Sequence, residues 1–308
     1  MSDMHNEIQQ PAAGPREQWL DLLDQCGVGL PKSLRVVEVP GGAVQATAGE
    51  PPGRIALEGF PASVLMFNVS PVQRLRQARE GRAFVSDMLS GEMTLLPRGI
   101  ASQWSWNSAC DRLDVAFSPD VLGDGNSLDV VDRYAFRDAE MEMICRRLYH
   151  ALTSNGPTEQ LYCESLVMNL AEILLLRHST ASPGTRLLPR VGLSRNQARR
   201  VLEYIESNLS RDLALRKLSE VADLSVYHFA RMFKQTVGVT PYQYVLERRL
   251  ECAKAMLRSA KVSLVDISLS TGFDSQSHFS STFRRMVGVT PTEFQGFYGK
   301  RTSRGWGV

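Results

Sequence analysis

Residues 229–241 read FARMFKQTVGVTP, and residues 279–291 read FSSTFRRMVGVTP. The offset is 50 residues throughout: Phe229 answers to Phe279, Phe233 to Phe283, and the run Val-Gly-Val-Thr-Pro recurs whole. Upstream, Leu215 and Leu218 answer to Leu264 and Ile267 at an offset of 49, so the second copy carries one extra residue in its turn. Two copies are fewer than the roughly three that a solenoid needs. Each copy ends in glycine, the residue that stops a helix in left-handed backbone. Each then restarts at Thr-Pro, a cap followed by proline at the first helical position. Two compact helical units of this kind predict a tandem helix-turn-helix with two recognition helices on one chain.

Working outward, Ser194 caps a helix over 194–208 with Ala198, Val201, Leu202 and Ile205 on its inner face. The first scaffold helix runs over 213–222 and the first recognition helix over 225–237, capped by Ser225. A long connector covers 241–258, a second scaffold helix 263–271, a second recognition helix 275–287, and a short last helix ends near Phe297. At 1.5 Å rise, an 18-residue connector is about 27 Å long. With the helix widths at its ends it approaches the ~34 Å of one duplex turn. The spacing predicts two adjacent major grooves read by one monomer.

Charge agrees with that division. The 308 residues sum to +2, but from Arg195 onward there are 18 Lys and Arg against 10 Asp and Glu, or +8, and the rest carries −6. Only the C-terminal third is suited to a polyanion. Five cysteines (Cys26, Cys110, Cys145, Cys163, Cys252) are scattered without metal-type spacing, which implies free thiols. No run of about 18 apolar residues marks a membrane span. The polar start lacks a signal-peptide core and reads as a frayed tail. Gly-x-Ser-x-Gly, Walker and Gly-x-Gly-x-x-Gly motifs are absent, so neither catalytic residues nor a cofactor are expected.

Ahead of the repeat, residues 16–26 predict a short helix. From Ser33 to Ser118 short strands (LRVVEV, VQATA, RIALEG, SVLMFNV, AFVSDML, MTLLP, SQWSW, RLDVAF) alternate with turn residues, the pattern of an all-β sandwich or barrel. Leu113, Val115 and Phe117 alternate with Asp114 and Ala116, as in a half-exposed strand. After Pro119 strand signals stop, and helices follow over 138–153 and 158–177. The second has an apolar face wide enough for two surfaces, either within its own domain or on a partner subunit. The expected class is α+β and multidomain. Residues 1–177 are expected to form one domain of strands and helices, 178–193 a linker, 194–298 an all-α domain of two helix-turn-helix units and 299–308 a tail.

The segments LRKLSEVADLSVYHFARMFKQTVGVTPYQYVLERRLECAKAML and VSLVDISLSTGFDSQSHFSSTFRRMVGVTPTEF resemble the AraC family of bacterial transcription regulators over the last ~100 residues. More loosely, GEMTLLPRGIASQWSW and RLDVAFSPDVL resemble late strands of that family's cupin-like β-barrel effector domain. The resemblance implies that Tyr227, Ala230 and Arg231 face bases in the first recognition helix, and Gln276, Ser277 and Ser281 in the second. Arg231 suits guanine O6 and N7, Gln276 suits adenine, and the short Ser281 loosens reading by the second unit. His228, Lys234, His278, Arg284 and Arg285 are read as phosphate contacts. Phe229, Phe233, Phe279 and Phe283 are core. None of the five histidines (His5, His150, His178, His228, His278) lies in the strand region, so a metal-dependent barrel enzyme is not expected. Trp104 and Trp106 share a strand face and either line an effector pocket or are plain core; Arg98 either meets an anionic effector or lies on the surface. The implied partners are operator DNA, a small organic effector, RNA polymerase and a second copy of the chain, with no membrane. The implied role is an effector-responsive activator in the cytoplasm, at the bacterial nucleoid. Two other classes stay open: a DNA-binding module fused to an enzyme, and a ligand-independent architectural DNA binder.

Overall fold

The computed structural model describes residues 32–122, 128–154, 160–180, 192–258 and 262–302, the last six by backbone alone. The helix expected over 16–26 and most of the expected linker lie outside these. The chain divides into two compact units, Met1–Pro119 with Asp129–Tyr149, and Asp120–Leu128 with His150–Val308.

The first unit holds ten strands in two sheets. One sheet has the order β1 (Ser33–Val39), β2 (Gly42–Glu50), β9 (Cys110–Phe117), β4 (Ser63–Asn68), β7 (Met93–Leu96), β10 (Arg133–Phe136). The other runs β3 (Gly53–Leu57), β8 (Ser102–Trp106), β5 (Val72–Arg79), β6 (Arg82–Met88). Neighbours pair antiparallel, and neither sheet closes on itself. Leu57, Leu75 and Trp104 from one sheet pack with Val64, Leu96 and Ala116 from the other in a shared core. Trp104 and Trp106 are both buried there, their indole N–H groups donating to Ser102 Oγ at 2.9 Å and Pro51 O at 2.7 Å.

Two readings are corrected here, and one unread strand is added. Strand β9 is not half-exposed, because it lies inside its sheet and Asp114, opposite Gln45 and Met66, is buried together with Ala116. Strand β5, VQRLRQAR, gives no apolar alternation because its inward side chains include Gln77 and Arg79. Gln77 donates to Thr94 Oγ1 at 3.3 Å, and Arg79 donates to Leu95 O at 2.9 Å and pairs with Asp132, while its buried Nε has no partner among the described residues. Strand signals also do not end at Pro119, since β10 pairs with β7.

Helix α1 (Ala139–Thr153) places the Arg146 guanidinium 5.5 Å from the Phe67 ring centre. The second unit then contains α2 (Gln160–Arg177), α3 (Arg195–Ser207), α4 (Leu215–Ala222), α5 (Val226–Val237), α6 (Pro241–Arg258), α7 (Leu264–Ser270), α8 (Gln276–Val287) and α9 (Pro291–Thr302). The last helix runs five residues past the expected Phe297. Helix α2 packs against α4, α5 and α6, with the Tyr162 and Tyr242 rings 4.7 Å apart. Phe273, Phe279, Phe283, Leu250 and Ile267 form the core of the second helix-turn-helix.

Candidate nucleic-acid interface

The two helices expected to read DNA, α5 and α8, are built by the same local chemistry. Ser225 Oγ accepts the His228 N–H at 3.4 Å, and Ser275 Oγ accepts that of His278 at 3.2 Å. Each helix stops at a left-handed glycine, Gly238 at φ 88° and Gly288 at φ 89°, whose N–H bonds the fourth carbonyl back at 2.9 Å. The next helix starts from a reciprocal box, Thr240 with Gln243 and Thr290 with Glu293. On the inner side of each of these helices lies one aromatic ladder. Phe229–Phe233–Tyr244 in the first unit matches Phe279–Phe283–Phe294 in the second, with ring centres 5.4 to 5.8 Å apart.

The repeat reaches into the turns. Leu224 N–H bonds Ser219 O at 3.1 Å, and Phe273 N–H bonds Ser268 O at 2.9 Å. These pairs keep the offset of 49, whereas the caps Ser225 and Ser275 differ by 50, so the extra residue is the exposed Asp274. It stands one residue ahead of Ser275, the N-cap of α8.

The expected contact residues fall in two groups. On α8, Gln276, Ser277, Ser281, Arg284 and Arg285 are all exposed, and His278 packs its ring edge-on to Phe273 at 5.6 Å. On α5, Lys234 is exposed, Ala230, Arg231 and His228 are half-buried, and Tyr227 is only 2% exposed. His228 Nδ1 lies 2.9 Å from Ser225 Oγ. Tyr227, Ala230, Arg231 and Lys234 form one wall of a narrow crevice. Its opposite wall is α2, through Ser165, Met168, Asn169 and Glu172.

Sequence reasoning missed Glu164 and Arg249. Glu164 is buried on α2 and accepts the Leu215 N–H at 2.6 Å and the Gln160 side-chain N–H at 2.9 Å. It thereby caps α4, whose own N-cap Ala214 offers no side-chain bond. Burial holds its carboxyl above the usual carboxylate range. Arg249 on α6 donates to Leu209 O at 3.0 Å and Arg211 O at 2.9 Å, tying the connector to the loop ahead of α4. A buried carboxylate aimed at another helix leaves no mark in a periodicity of apolar residues.

Cys110 and Cys145 are buried thiols. Burial pushes Cys110 up to about 12 and raises Cys145 as well, opposite to the lowered pKa of a nucleophilic cysteine. Among the described residues no group of three His, Cys, Asp or Glu side chains is placed to hold a metal ion. No described helix is long and apolar enough to cross a membrane.

A helix-turn-helix domain family matches residues 218–296. The probable transcriptional regulator LumQ of Photobacterium leiognathi is 42% identical over 94 residues, 30% of this chain and 38% of LumQ. The virulence regulon transcriptional activator VirF of Yersinia enterocolitica is 32% identical over 123 residues, 40% of this chain and 45% of VirF. The chain thus spans less than half the length of these two relatives. A solved transcriptional regulator of Chromobacterium violaceum, described by its AraC-type DNA-binding domain, is 32% identical. That match covers 36% of this chain and 96% of the other, with a TM-score of 0.32.

Proposed function

Because this chain belongs to the AraC family of helix-turn-helix DNA-binding transcription regulators, we propose that one monomer reads two successive major grooves and that a small organic effector controls the reading. The observation that carries this is the pair of identically capped helices, α5 and α8, at the two ends of the 18-residue helix α6. Tyr227, Ala230 and Arg231 read one element, and Gln276, Ser277 and Ser281 the other. His228, Lys234, His278, Arg284 and Arg285 hold phosphates and fix the register. The sheet unit acts as a cupin-like effector and dimerisation domain, with domain limits at 177 and 194. The protein works as an activator that meets RNA polymerase, in the cytoplasm at the nucleoid.

The effector reading rests on an unusual interior. Asn68, Thr94, Trp104, Trp106, Cys110 and Arg112 line a small void between the sheets. Beside it, Arg112 bonds Asp114 at 2.9 Å and Glu50 at 3.2 Å. The Gln45 amide and Asp114 Oδ1 are buried without a partner among the described residues. Unsatisfied buried polar groups cost on the order of 1–3 kcal/mol each.

The test is a genome-fragment binding selection with purified protein, repeated with Arg231→Ala. The expected result is a site with two elements about one duplex turn apart. Loss of the guanine contact costs about 1–3 kcal/mol and relaxes the first element alone. Sequence-blind enrichment that vanishes in modest salt would reject site-specific reading.

A further inference from the structure

We propose that α2 is a lid over the first reading helix, so that the chain in this conformation offers only its second reader to DNA. The inference rests on the reading of α5 as a DNA-reading helix and names how that site is regulated.

The repeat supplies an internal control. Tyr227 and Ser277 are equivalent positions, as are Arg231 and Ser281. In the second unit both are exposed; in the first, Tyr227 is buried and Arg231 half-buried. Sequence differences within the two helices do not account for this, because caps, ladders and glycine stops coincide. What differs is α2. Ser165, Met168, Asn169 and Glu172 occupy the side of α5 that has to enter the groove.

Size makes the two states exclusive. The major groove is about 12 Å wide and accepts one helix of about 10–12 Å diameter. A second helix packed at about 8–10 Å between axes does not fit with it. Helix α5 therefore reads bases only after α2 has left its outer face.

The chemistry of the contact suits a closure that opens. Glu172 lines the crevice with Arg231 and Lys234, placing a carboxylate beside the groups that otherwise meet DNA. Burial and then Glu172 hold the Tyr227 hydroxyl up at about 12, consistent with a desolvated ring beside an acid. Ser165 Oγ is buried there without a partner among the described residues, so the seam carries an unmet polar group beside Met168 and Tyr227. On its remaining sides α2 is held more firmly, by Glu164 on α4 and by Tyr162 against Tyr242.

The test uses the full chain and two readouts. The first is thiol labelling, followed by peptide mass analysis, of Ser165→Cys and Ser281→Cys. We expect the cysteine at 165 to react at least about tenfold more slowly, through local opening only, and Glu172→Lys to speed it without changing the one at 281. The second is binding of the duplex enriched by the selection above, against a scrambled duplex of equal length. Glu172→Lys should tighten the selected duplex by about fivefold or more and deepen protection of the first element, which the lid leaves the more weakly held of the two in wild type. Equal labelling rates at 165 and 281 overturn the lid. An equal gain on the scrambled duplex also overturns it, because added charge then explains the change. If wild type and variant both fail to separate the two duplexes, the DNA reading of α5 has failed, and the labelling rates alone decide whether the lid exists.

Discussion

Asp223 and Gly272 hold the same place in the two turns, each in left-handed backbone at φ 57° and 81°. Asp223 is exposed and of a type that tolerates this region. Gly272 has a second constraint. A Cβ there lies 2.2 Å from Leu209 O and 2.9 Å from the Arg249 guanidinium that bonds the same carbonyl. Gly272→Ala therefore combines backbone strain of about 1–2 kcal/mol with damage to a buried charged hydrogen bond worth about 1.5–3 kcal/mol. We expect a loss of at least about 2 kcal/mol, read as the shift in urea midpoint of the helical signal. Asp223→Ala should cost less than half as much. Equal losses would show that the close approach at Gly272 is unimportant. The sequence marks Gly238 and Gly288 through their Thr-Pro successors, but Gly272 has no such neighbour. Its need comes from Leu209 and Arg249, 63 and 23 residues away, and no local pattern encodes that.

At the scale of elements, the first scaffold helix depends on a side chain from another helix. Helix α4 is eight residues long, too short to be stable alone, and Glu164 of α2 meets its first N–H, which has no partner within the helix. Glu164→Ala removes that cap and leaves the Leu215 N–H buried, a cost of about 1–2 kcal/mol. Its pH dependence has a definite sign. Burial raises the folded pKa of Glu164. Its contribution is therefore complete below the unfolded value near about 4.3 and is lost as pH rises through the folded value. Compared with Glu164→Gln, wild type should gain stability as pH falls from 7 into the carboxylate range. A constant difference between the two unfolding curves would refute this. Elements that bury apolar stripes, such as α5, α6 and α8, were legible in advance because their spacing repeats. Strand β5 was not, since Gln77 and Arg79 face inward and bond to Thr94, Leu95 and Asp132. Apolar periodicity also gives the width of the face on α2 but not its partners, and so left a second subunit and its own domain equally open. The cover on Tyr227 was illegible for the same reason.

For the whole molecule, the overall charge of +2 conceals a basic helical third and an acidic remainder. If Arg284 and Arg285 each neutralise one phosphate, replacing both with Gln lowers the slope of log affinity against log salt by about 2, at roughly 0.9 per contact. The order of preference among sequences should not change. Titration of the selected and mismatched duplexes at several salt concentrations checks this, and an unchanged slope removes both residues from the interface. The 18-residue helix between the two readers has a further consequence. Loops absorb insertions by bulging outward, but a helical spacer does not. One added residue lengthens it by about 1.5 Å and turns whatever follows by about 100°. On the two-groove reading, a single inserted codon therefore swings the second reader off the face of the duplex, and no one-base change in operator spacing, worth about 35°, restores it. Protein and binding site are then free to drift in letters but not in length, and a family of such regulators should diversify by substitution while its central helix keeps one size.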